Sequence, residues 1–281
     1  MTIPRDNRTA TDMSIPLTNL VIAFKSAGEM ATGIASRLFN SNLGRIFMME
    51  TESPLAVRRK VSFCEAVYDG ACVVEDITAR RVENPGQIPS AWDAREVPVI
   101  VDPAWHALKT LRPHVVIDAI IAKKNLGTSM DEALLTIGLG PGFRAGSDVH
   151  VVVETNRGHN LGRVIYQGEA QPNTGIPGTI GNISYDRVLR APCQGRFTPT
   201  VAIGQLVESG QVLAHVGTAP VTARTGGMVR GLIRSGTRVT PGLKVGDIDP
   251  RGEGAFCDRI SEKARALGGA VLEAILHRFN T

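Results

Sequence analysis

The 281-residue sequence predicts an α/β protein, in which a doubly wound, mostly parallel sheet is followed by a small all-β domain. Two observations predict this class. Short apolar runs alternate with helical patterns from about residue 20 to residue 122, as in sheets built from strand–helix–strand units. Residues 191–248 then align with themselves at an offset of about 32, which indicates two copies of one β unit.

Composition narrows the function classes. Apolar residues make up 43% of the chain, which excludes a disordered or fibrous protein. The balance of 31 basic and 27 acidic residues is mild and aromatic residues are only 5%, so we expect no nucleic-acid partner. No apolar run is long enough to span a bilayer, and the first 17 residues are polar, which predicts a disordered N-terminal extension and no signal peptide.

The cysteine pattern points to a reducing compartment. The four cysteines lie far apart and form no C-x-x-C pair, so no zinc or iron–sulfur site is evident. Free thiols of this kind are typical of cytosolic proteins. We therefore expect a cytoplasmic protein without membrane contact; the cysteines are Cys64, Cys72, Cys193 and Cys257.

The first predicted unit is a strand, a glycine turn, a helix and a second strand. Leu20–Lys25 is apolar, Ser26–Gly33 supplies the turn, and Ile46–Met49 is the next strand, closed by Glu50. In a Rossmann-like unit the turn lets backbone amides approach a pyrophosphate, and the acidic residue bonds a ribose hydroxyl. This predicts a nucleotide or dinucleotide site, with NAD(P) as one candidate. Serine replaces the usual first glycine. The alternative that this turn only allows the helix to pack closely on the strand therefore stays open.

Further alternation extends the predicted sheet. Ser53-Pro54 is a helix start signal, and the helix it predicts carries Arg58 and Arg59. These arginines suit a phosphate group or else form a solvated helix face. The remaining predicted elements are strands at Ala71–Glu75, Val97–Val101, Val115–Ala122 and His150–Glu154, and helices at Trp105–Leu111 and Asp258–Phe279.

Candidate site residues lie at strand ends and in glycine loops, where ligands of such sheets bind. Asp118 interrupts an apolar strand, so it either pairs with Lys123 or touches ligand together with it. Gly140-Pro141-Gly142 is expected to close the cleft, and the glycine/proline segment Pro172–Gly181 to wrap an anion. The predicted cofactor-binding set is Ser26, Gly28, Glu29, Ala31, Gly33, Glu50, Arg58, Arg59, Asp118, Lys123, Gly140 and Gly142.

A metal site is not expected. His150 and Glu154 share one face of a predicted strand, and His159 follows them in the next loop. A third ligand at suitable spacing is missing, so these residues favour a structural cluster or the polar wall of a cleft.

The C-terminal repeat pairs Gly204-x-x-Val207-x-x-Gly210 with Gly236-x-x-Val239-x-x-Gly242. Two such copies resemble the interlocking halves of a biotinyl/lipoyl-type barrel-sandwich domain. Carriers of that type attach the cofactor to a lysine on the connecting hairpin, but residues 191–243 contain no lysine. Neither biotin nor lipoate is therefore expected, and we predict a contact role. The predicted domains are residues 1–17 (extension), 18–185 (Rossmann-like), 186–250 (barrel-sandwich) and 251–281 (a helix packing on the body).

Five motifs are spread along the chain: Ser26–Gly33, Pro54–Arg59, Gly140–Phe143, Val153–His159 and Asp249–Arg251. Together they resemble the selenium-dependent molybdenum hydroxylase system accessory family, and the similarity runs from about Leu20 to Phe279. The resemblance implies a maturation factor whose partners are a molybdenum hydroxylase or its cofactor-delivery proteins, with molybdopterin dinucleotide as a candidate ligand. An NAD(P)-dependent oxidoreductase and a non-catalytic scaffold are the alternatives, and self-association stays open.

Overall fold

A computed structural model describes residues 15–173, 175, 183–252 and 254–280. Most of the predicted N-terminal extension (residues 1–14) and most of the glycine/proline segment at 172–181 lie outside these ranges. In the part of the chain that is described, no helix combines the length and apolar character needed to cross a membrane.

The central element is a nine-stranded mixed sheet. Its strands are β1 (Ile22–Lys25), β2 (Ile46–Glu50), β3 (Ala71–Val74), β4 (Ile77–Val82), β5 (Val97–Val101), β6 (Val115–Asp118), β7 (Leu135–Leu139), β9 (Val151–Val153) and β10 (Val164–Ile165), and β8 (Arg144–Ala145) pairs separately with β11 (Gly168–Glu169). The strand order across the sheet is β10-β9-β7-β6-β1-β2-β5-β4-β3. The interior pairs are parallel, whereas β3 and β10 at the two edges pair antiparallel with their neighbours.

Helices cover the two faces of this sheet unequally. Ile22 and Phe24 of β1 pack in the core beneath the two long helices, whereas Ala23 faces the opposite core beneath short ones. This alternation follows from the period of two along a strand. The helices are α1 (Glu29–Asn40), α2 (Ala66–Asp69), α3 (Ile88–Asp93), α4 (Ala107–Leu111) and α5 (Glu262–Phe279), of which α1 and α5 pack on each other.

Two four-stranded antiparallel sheets form the C-terminal part. Their strands are β12 (Val188–Arg190), β13 (Gly195–Pro199), β14 (Leu206–Val207), β15 (Val212–Val216), β16 (Ala219–Thr222), β17 (Gly227–Leu232), β18 (Arg238–Val239) and β19 (Lys244–Asp249). The strand orders are β12-β19-β17-β14 and β16-β15-β13-β18. The 32-residue offset maps β13 onto β17 and β15 onto β19, and the two-residue strand of each copy pairs in the sheet of the other copy.

The predicted fold class, a Rossmann-like doubly wound sheet followed by a barrel-sandwich domain, is wrong. The structure is a large mixed sheet of nine strands accompanied by antiparallel sheets. Residues 71–82 form a hairpin that turns at Glu75, where the sequence pattern indicated a single strand. The antiparallel sheets have a hydrophobic core of their own, against which Val57 packs, and a Cβ on Gly231 would lie 2.5 Å from the Val57 carbonyl oxygen.

The helix predicted to begin at Ser53-Pro54 is also wrong. Residues 51–58 form no helix, and the first helical turns that follow are the short 3-10 turns Arg59–Val61 and Phe63–Glu65. This segment crosses between the mixed sheet and the antiparallel sheets, so contacts with distant residues override its local helix signal. Arg58 and Arg59 consequently point into the protein and not to solvent on a helix face.

Candidate functional site

A cleft of about 570 Å³ lies between the carboxyl edge of the mixed sheet and the antiparallel sheets. The loops that follow β1, β6, β7 and β9 form one wall, residues in and around β12, β17 and β19 form the other, and the start of α5 closes one end. Ligands of sheets with parallel interior strands bind at this edge. The volume is in the range typical of small-molecule sites.

The cleft is strongly basic. Among the residues that the structure describes, eight basic and two acidic side chains line it, although the whole chain has a net charge of only +4. Both acids are already paired, Glu29 with Arg58 and Asp247 with Arg187. Walls of one charge sign concentrate the potential of a cleft and attract oppositely charged ligands. The basic residues are Arg58, Lys123, Arg157, Arg187, Arg190, Arg230, Lys244 and Lys263.

The backbone amides of the turn after β1 are occupied by protein side chains. Ser26 adopts a left-handed φ of 92°, a conformation that usually requires glycine. The Ala27 amide donates to Glu50 Oε1 over 2.7 Å, and the Gly28 amide donates to Ser26 Oγ over 3.1 Å. Glu50 therefore holds the amide that a Rossmann-like site would offer to a phosphate, and it does not line the cleft.

Helix α1 directs its N-terminus into the cleft. Gly28 is the N-cap and provides no side-chain cap, and the first helical residue is Glu29. An acidic residue is favourable here because the first turn carries a partial positive charge. Arg58 donates through Nη1 to Glu29 Oε1 over 2.8 Å, which fixes the carboxylate at the cleft wall.

Arg58 is almost completely buried, with 3% of its surface exposed. Besides Glu29, it donates through Nη2 to the carbonyl oxygens of Phe256 and Arg259. Its Nε has no hydrogen-bond partner among the described residues. The side chain thus ties α1 to the segment before α5 and keeps one donor unused.

Arg230 reaches the same cleft from β17 and is 5% exposed. Its only ion-pair contacts in the described ranges are long ones of 3.9 Å, to Asp247 and Asp249, and its Nε is also unpartnered. Burial lowers the pKa of Arg230, and the nearby positive charge of Arg58 lowers it further. Two buried guanidinium groups therefore lie close together with incomplete compensation, although buried donors are normally satisfied.

A second basic group lies at the α5 end of the cleft. Arg157 forms an ion pair with Glu262, and Lys263 follows in the first turn of α5. Burial lowers the pKa of Lys263, and the neighbouring Arg157 and Lys123 contribute in the same direction. Glu29 and Glu154 oppose this shift.

The structure brings five of the twelve sequence-predicted residues to the cleft: Ser26, Gly28, Glu29, Arg58 and Lys123. Several other predicted residues lie outside the lining and position the elements that form the cleft. Arg59 donates through Nε to the carbonyl of Leu232, and Gly33 lets α1 approach α5, where an added Cβ would lie 2.5 Å from Ala264 Cβ. The predicted residues outside the lining are Ala31, Gly33, Glu50, Arg59, Asp118, Gly140 and Gly142.

Gly140 and Gly142 shape the loop that places Pro141 in the lining. Both have positive φ, and an added Cβ would meet Thr155 Oγ1 at 2.4 Å or the Lys124 backbone at 2.5 Å. The opposing loop is itself strained, because the β-branched Ile121 has a φ of 59°. Close backbone packing between these loops fixes where Lys123 enters the cleft.

Asp118 pairs behind the cleft and not with Lys123. Thr128 Oγ1 donates to Asp118 over 2.7 Å and accepts from Lys25 Nζ over 2.8 Å. Lys25 also bonds Glu132 over 2.8 Å and lies 3.7 Å from the centre of the Trp105 ring. Burial raises the pKa of Asp118 and lowers that of Lys25, so this cluster is a buried structural network.

His150, Glu154 and His159 do not converge. His150 Nδ1 accepts from the Thr136 amide over 3.0 Å, while His159 is exposed. The two Glu154 oxygens accept from the amides of Asn156 and Gln171, each over 2.7 Å. The described residues contain no group of three or more His, Cys, Asp or Glu side chains placed to hold a metal ion.

Sequence reasoning missed most of the basic wall. The missed residues come from one loop, three strand regions and a helix start, and no local spacing connects them. Nothing distinguished them from solvated surface charges until the fold placed them together. They are Arg157, Arg187, Arg190, Arg230, Lys244 and Lys263.

Comparison with curated proteins finds one long relative. The chain is 47% identical over 263 residues to a protein of Escherichia coli (strain K12) named "Uncharacterized protein YqeB". The alignment covers 94% of this chain and 48% of that protein, so the chain spans about half the length of the relative. No family model matches the chain.

Comparison with solved structures returns desuccinylase and aspartoacylase proteins. A succinylglutamate desuccinylase/aspartoacylase from Rhodobacter sphaeroides is 32% identical over 23% of this chain and 22% of its own, with a TM-score of 0.20. An aspartoacylase family protein from Mesorhizobium loti is 12% identical over 76% and 59%, with a TM-score of 0.25. The product-bound ectoine utilization protein EutE (DoeB) from Ruegeria pomeroyi is 13% identical over 76% and 61%, with a TM-score of 0.23. Scores this low support no inference about the activity of this chain.

These findings correct the expected identity. The relative is named only as uncharacterized, and the solved structures are named as desuccinylase, aspartoacylase and ectoine utilization proteins, so neither comparison supports the predicted membership of a molybdenum hydroxylase accessory family. The predicted maturation of a selenium-dependent hydroxylase, the molybdenum hydroxylase and cofactor-delivery partners, and the NAD(P)-dependent oxidoreductase alternative are withdrawn with it. Among the motifs that carried the resemblance, Ser26–Gly33 and Gly140–Phe143 form closely packed turns, and Pro54–Arg59 supplies the buried Arg58 contacts.

Proposed function

We propose that this protein binds a small polyanion, a molecule with at least two negatively charged groups, in the basic cleft. The observation that carries the proposal is the pair of buried guanidinium groups of Arg58 and Arg230, each with an unpartnered Nε. A buried cation without full compensation is costly, and an anion from solution would compensate both at once.

The charge count supports a multiply charged ligand. With eight basic and two acidic residues in the lining, the cleft carries a formal excess of six positive charges (8 − 2). One carboxylate or phosphate would leave most of this charge unbalanced. The basic residues at the α5 end, Lys123, Arg157 and Lys263, offer a second place for an anionic group.

Arginine pairs with carboxylate and phosphate alike through its planar fork of donors. The cleft therefore selects a ligand by its negative charges, and the charged groups of that ligand are either carboxylates or phosphates. We place Ser26, Gly28, Glu29, Arg58 and Lys123 among the residues that contact or border the ligand, together with Arg230.

Isothermal titration calorimetry with citrate, pyrophosphate and acetate tests the proposal. We expect citrate or pyrophosphate to bind at least about tenfold more tightly than acetate, because each well-placed charged hydrogen bond contributes about 1.5–3 kcal/mol. The affinity should fall as salt is added, since salt screens charge attraction. Equal, weak binding of all three anions would contradict the proposal, and the better polyanion would show whether carboxylates or phosphates are preferred.

A further inference from the structure

Lys263 is presented to the cleft by a rigid element. It lies in the first turn of α5, whose N-cap Ser261 is buried and accepts from the Ala264 amide over 3.3 Å. The same turn packs on α1, because Ala264 meets Gly33 directly. The backbone under the Lys263 amine is therefore fixed.

The surroundings of Lys263 disfavour its charged form. Within the described ranges it has no hydrogen-bond or ion-pair partner, whereas the neighbouring Arg157 is paired with Glu262. The positive charges of Arg157 and Lys123 add to the effect of burial in lowering the pKa of Lys263. The first turn of a helix adds partial positive charge.

The acids that act on Lys263 are already committed to other groups. Glu29 is held by Arg58 over 2.8 Å, and both oxygens of Glu154 accept backbone amides. Neither carboxylate forms an ion pair with the lysine. An amine among cations, without an acid of its own, is a familiar arrangement for a nucleophilic lysine.

We propose that Lys263 is a reactive amine that forms an imine with an anionic aldehyde or ketone held in the cleft. This inference rests on the proposed polyanion site and names the chemical class of its ligand. The other cations of the cleft hold the anionic groups, and the amine meets the carbonyl carbon.

The step is balanced without a further reactant. The lone pair of the Lys263 Nζ attacks the carbonyl carbon and forms the C–N bond of a carbinolamine. The C–O bond then breaks, and the oxygen leaves as water with the two hydrogens of the neutral amine. The product is an imine, and hydrolysis reverses the reaction.

Reductive trapping on the full chain tests the inference, with pyridoxal 5′-phosphate as the probe because it joins an aldehyde to a phosphate. Borohydride fixes any imine, and peptide mass spectrometry locates it. We expect Lys263 to be labelled at least about tenfold faster than the exposed Lys109, because the basic cleft concentrates the anionic probe beside this amine and burial lowers the pKa of Lys263. Excess citrate or pyrophosphate, whichever binds, should slow the labelling of Lys263 and leave that of Lys109 unchanged.

Lys263→Arg is the matched variant, because it retains a basic side chain and cannot form an imine. The fast-labelled site should be lost in this variant, whereas Lys109 should be labelled as in the wild type. Labelling of Lys263 no faster than Lys109 would overturn the inference, and so would labelling of Lys123 in its place. If calorimetry still showed polyanion binding in that case, the proposed function would stand and only the imine would be rejected. Selective labelling without protection by either polyanion would place the amine outside the anion site and also overturn the inference.

Discussion

Arg58 and Glu29 form a 2.8 Å ion pair at the N-terminus of α1, between a nearly buried guanidinium and a partly exposed carboxylate. The pair occupies the junction of the mixed sheet, the antiparallel sheets and the segment before α5. It also removes one of the two acids of the cleft from competition with an anionic ligand.

Replacing Glu29 with Gln should have opposite effects on stability and on binding. The variant leaves Arg58 with only carbonyl acceptors, so we expect the free energy of unfolding to fall by about 1–3 kcal/mol. Removing a negative charge from the cleft should at the same time tighten polyanion binding. Urea unfolding and calorimetry measure the two effects, and the exposed Glu52→Gln is the control for both. Unchanged values for both would show that the pair is not formed in solution.

The contact between α1 and α5 makes a second prediction. A Cβ on Gly33 would lie 2.5 Å from Ala264 Cβ and 3.0 Å from Ile260 Cγ2. Gly33→Ala should therefore lower the free energy of unfolding by about 1–3 kcal/mol through overpacking.

Gly269 in α5 provides the matched control, because nothing lies within 4 Å of an added Cβ there. Gly269→Ala should raise the stability by about 0.5–1 kcal/mol, since alanine loses less conformational freedom in a helix. Equal effects of the two variants in urea titrations would refute the close approach of the helices.

The thiol of Cys72 makes the free energy of unfolding depend on pH in the alkaline range. Burial raises the pKa of Cys72 from 9.0 to about 11, and Glu65 and Asp69 contribute. The folded state thus keeps its proton longer than the unfolded state, so the stabilisation is complete below pH 9.0 and is lost as the pH rises through about 11.

We expect the wild type to lose about 1–2 kcal/mol more than Cys72→Ala over this range, a figure reduced because the thiol is only partly buried. Urea unfolding at about pH 8 and about pH 11 measures the difference. Cys64, whose pKa burial also raises, should keep part of the pH dependence in the variant. Identical pH profiles for wild type and variant would contradict the assignment.

Local sequence patterns correctly predicted those strands and helices whose formation is determined by residues close to them in the chain. The strand Ile22–Lys25 and the helix that begins at Glu29 lie where apolar spacing and the glycine turn placed them. The predicted fold class failed where the sequence had weak local signals. The turn at Glu75 contains no glycine or proline, and β8, β10 and β11 are only two residues long.

The candidate site could be predicted only in part, because its geometry comes from distant contacts. Arg58 was singled out, but the partners that bury it, Phe256 and Arg259, lie about two hundred residues away in the chain. Arg230 sits in a strand rich in apolar and glycine residues and carried no motif. A sequence pattern records neither which strand faces a cleft nor which buried donor lacks a partner.

The most direct test of the polyanion site is the affinity of Arg230→Met for the better of citrate and pyrophosphate, measured by calorimetry beside the exposed Arg224→Met control. Methionine retains much of the apolar stem, and removal of the charge relieves the unfavourable proximity of Arg58. The polyanion-site account predicts an affinity about 10- to 100-fold lower in Arg230→Met, unchanged affinity in Arg224→Met, and a free energy of unfolding that does not decrease. Wild-type affinity in Arg230→Met, with the fold intact, would contradict a polyanion site built around the two buried guanidinium groups.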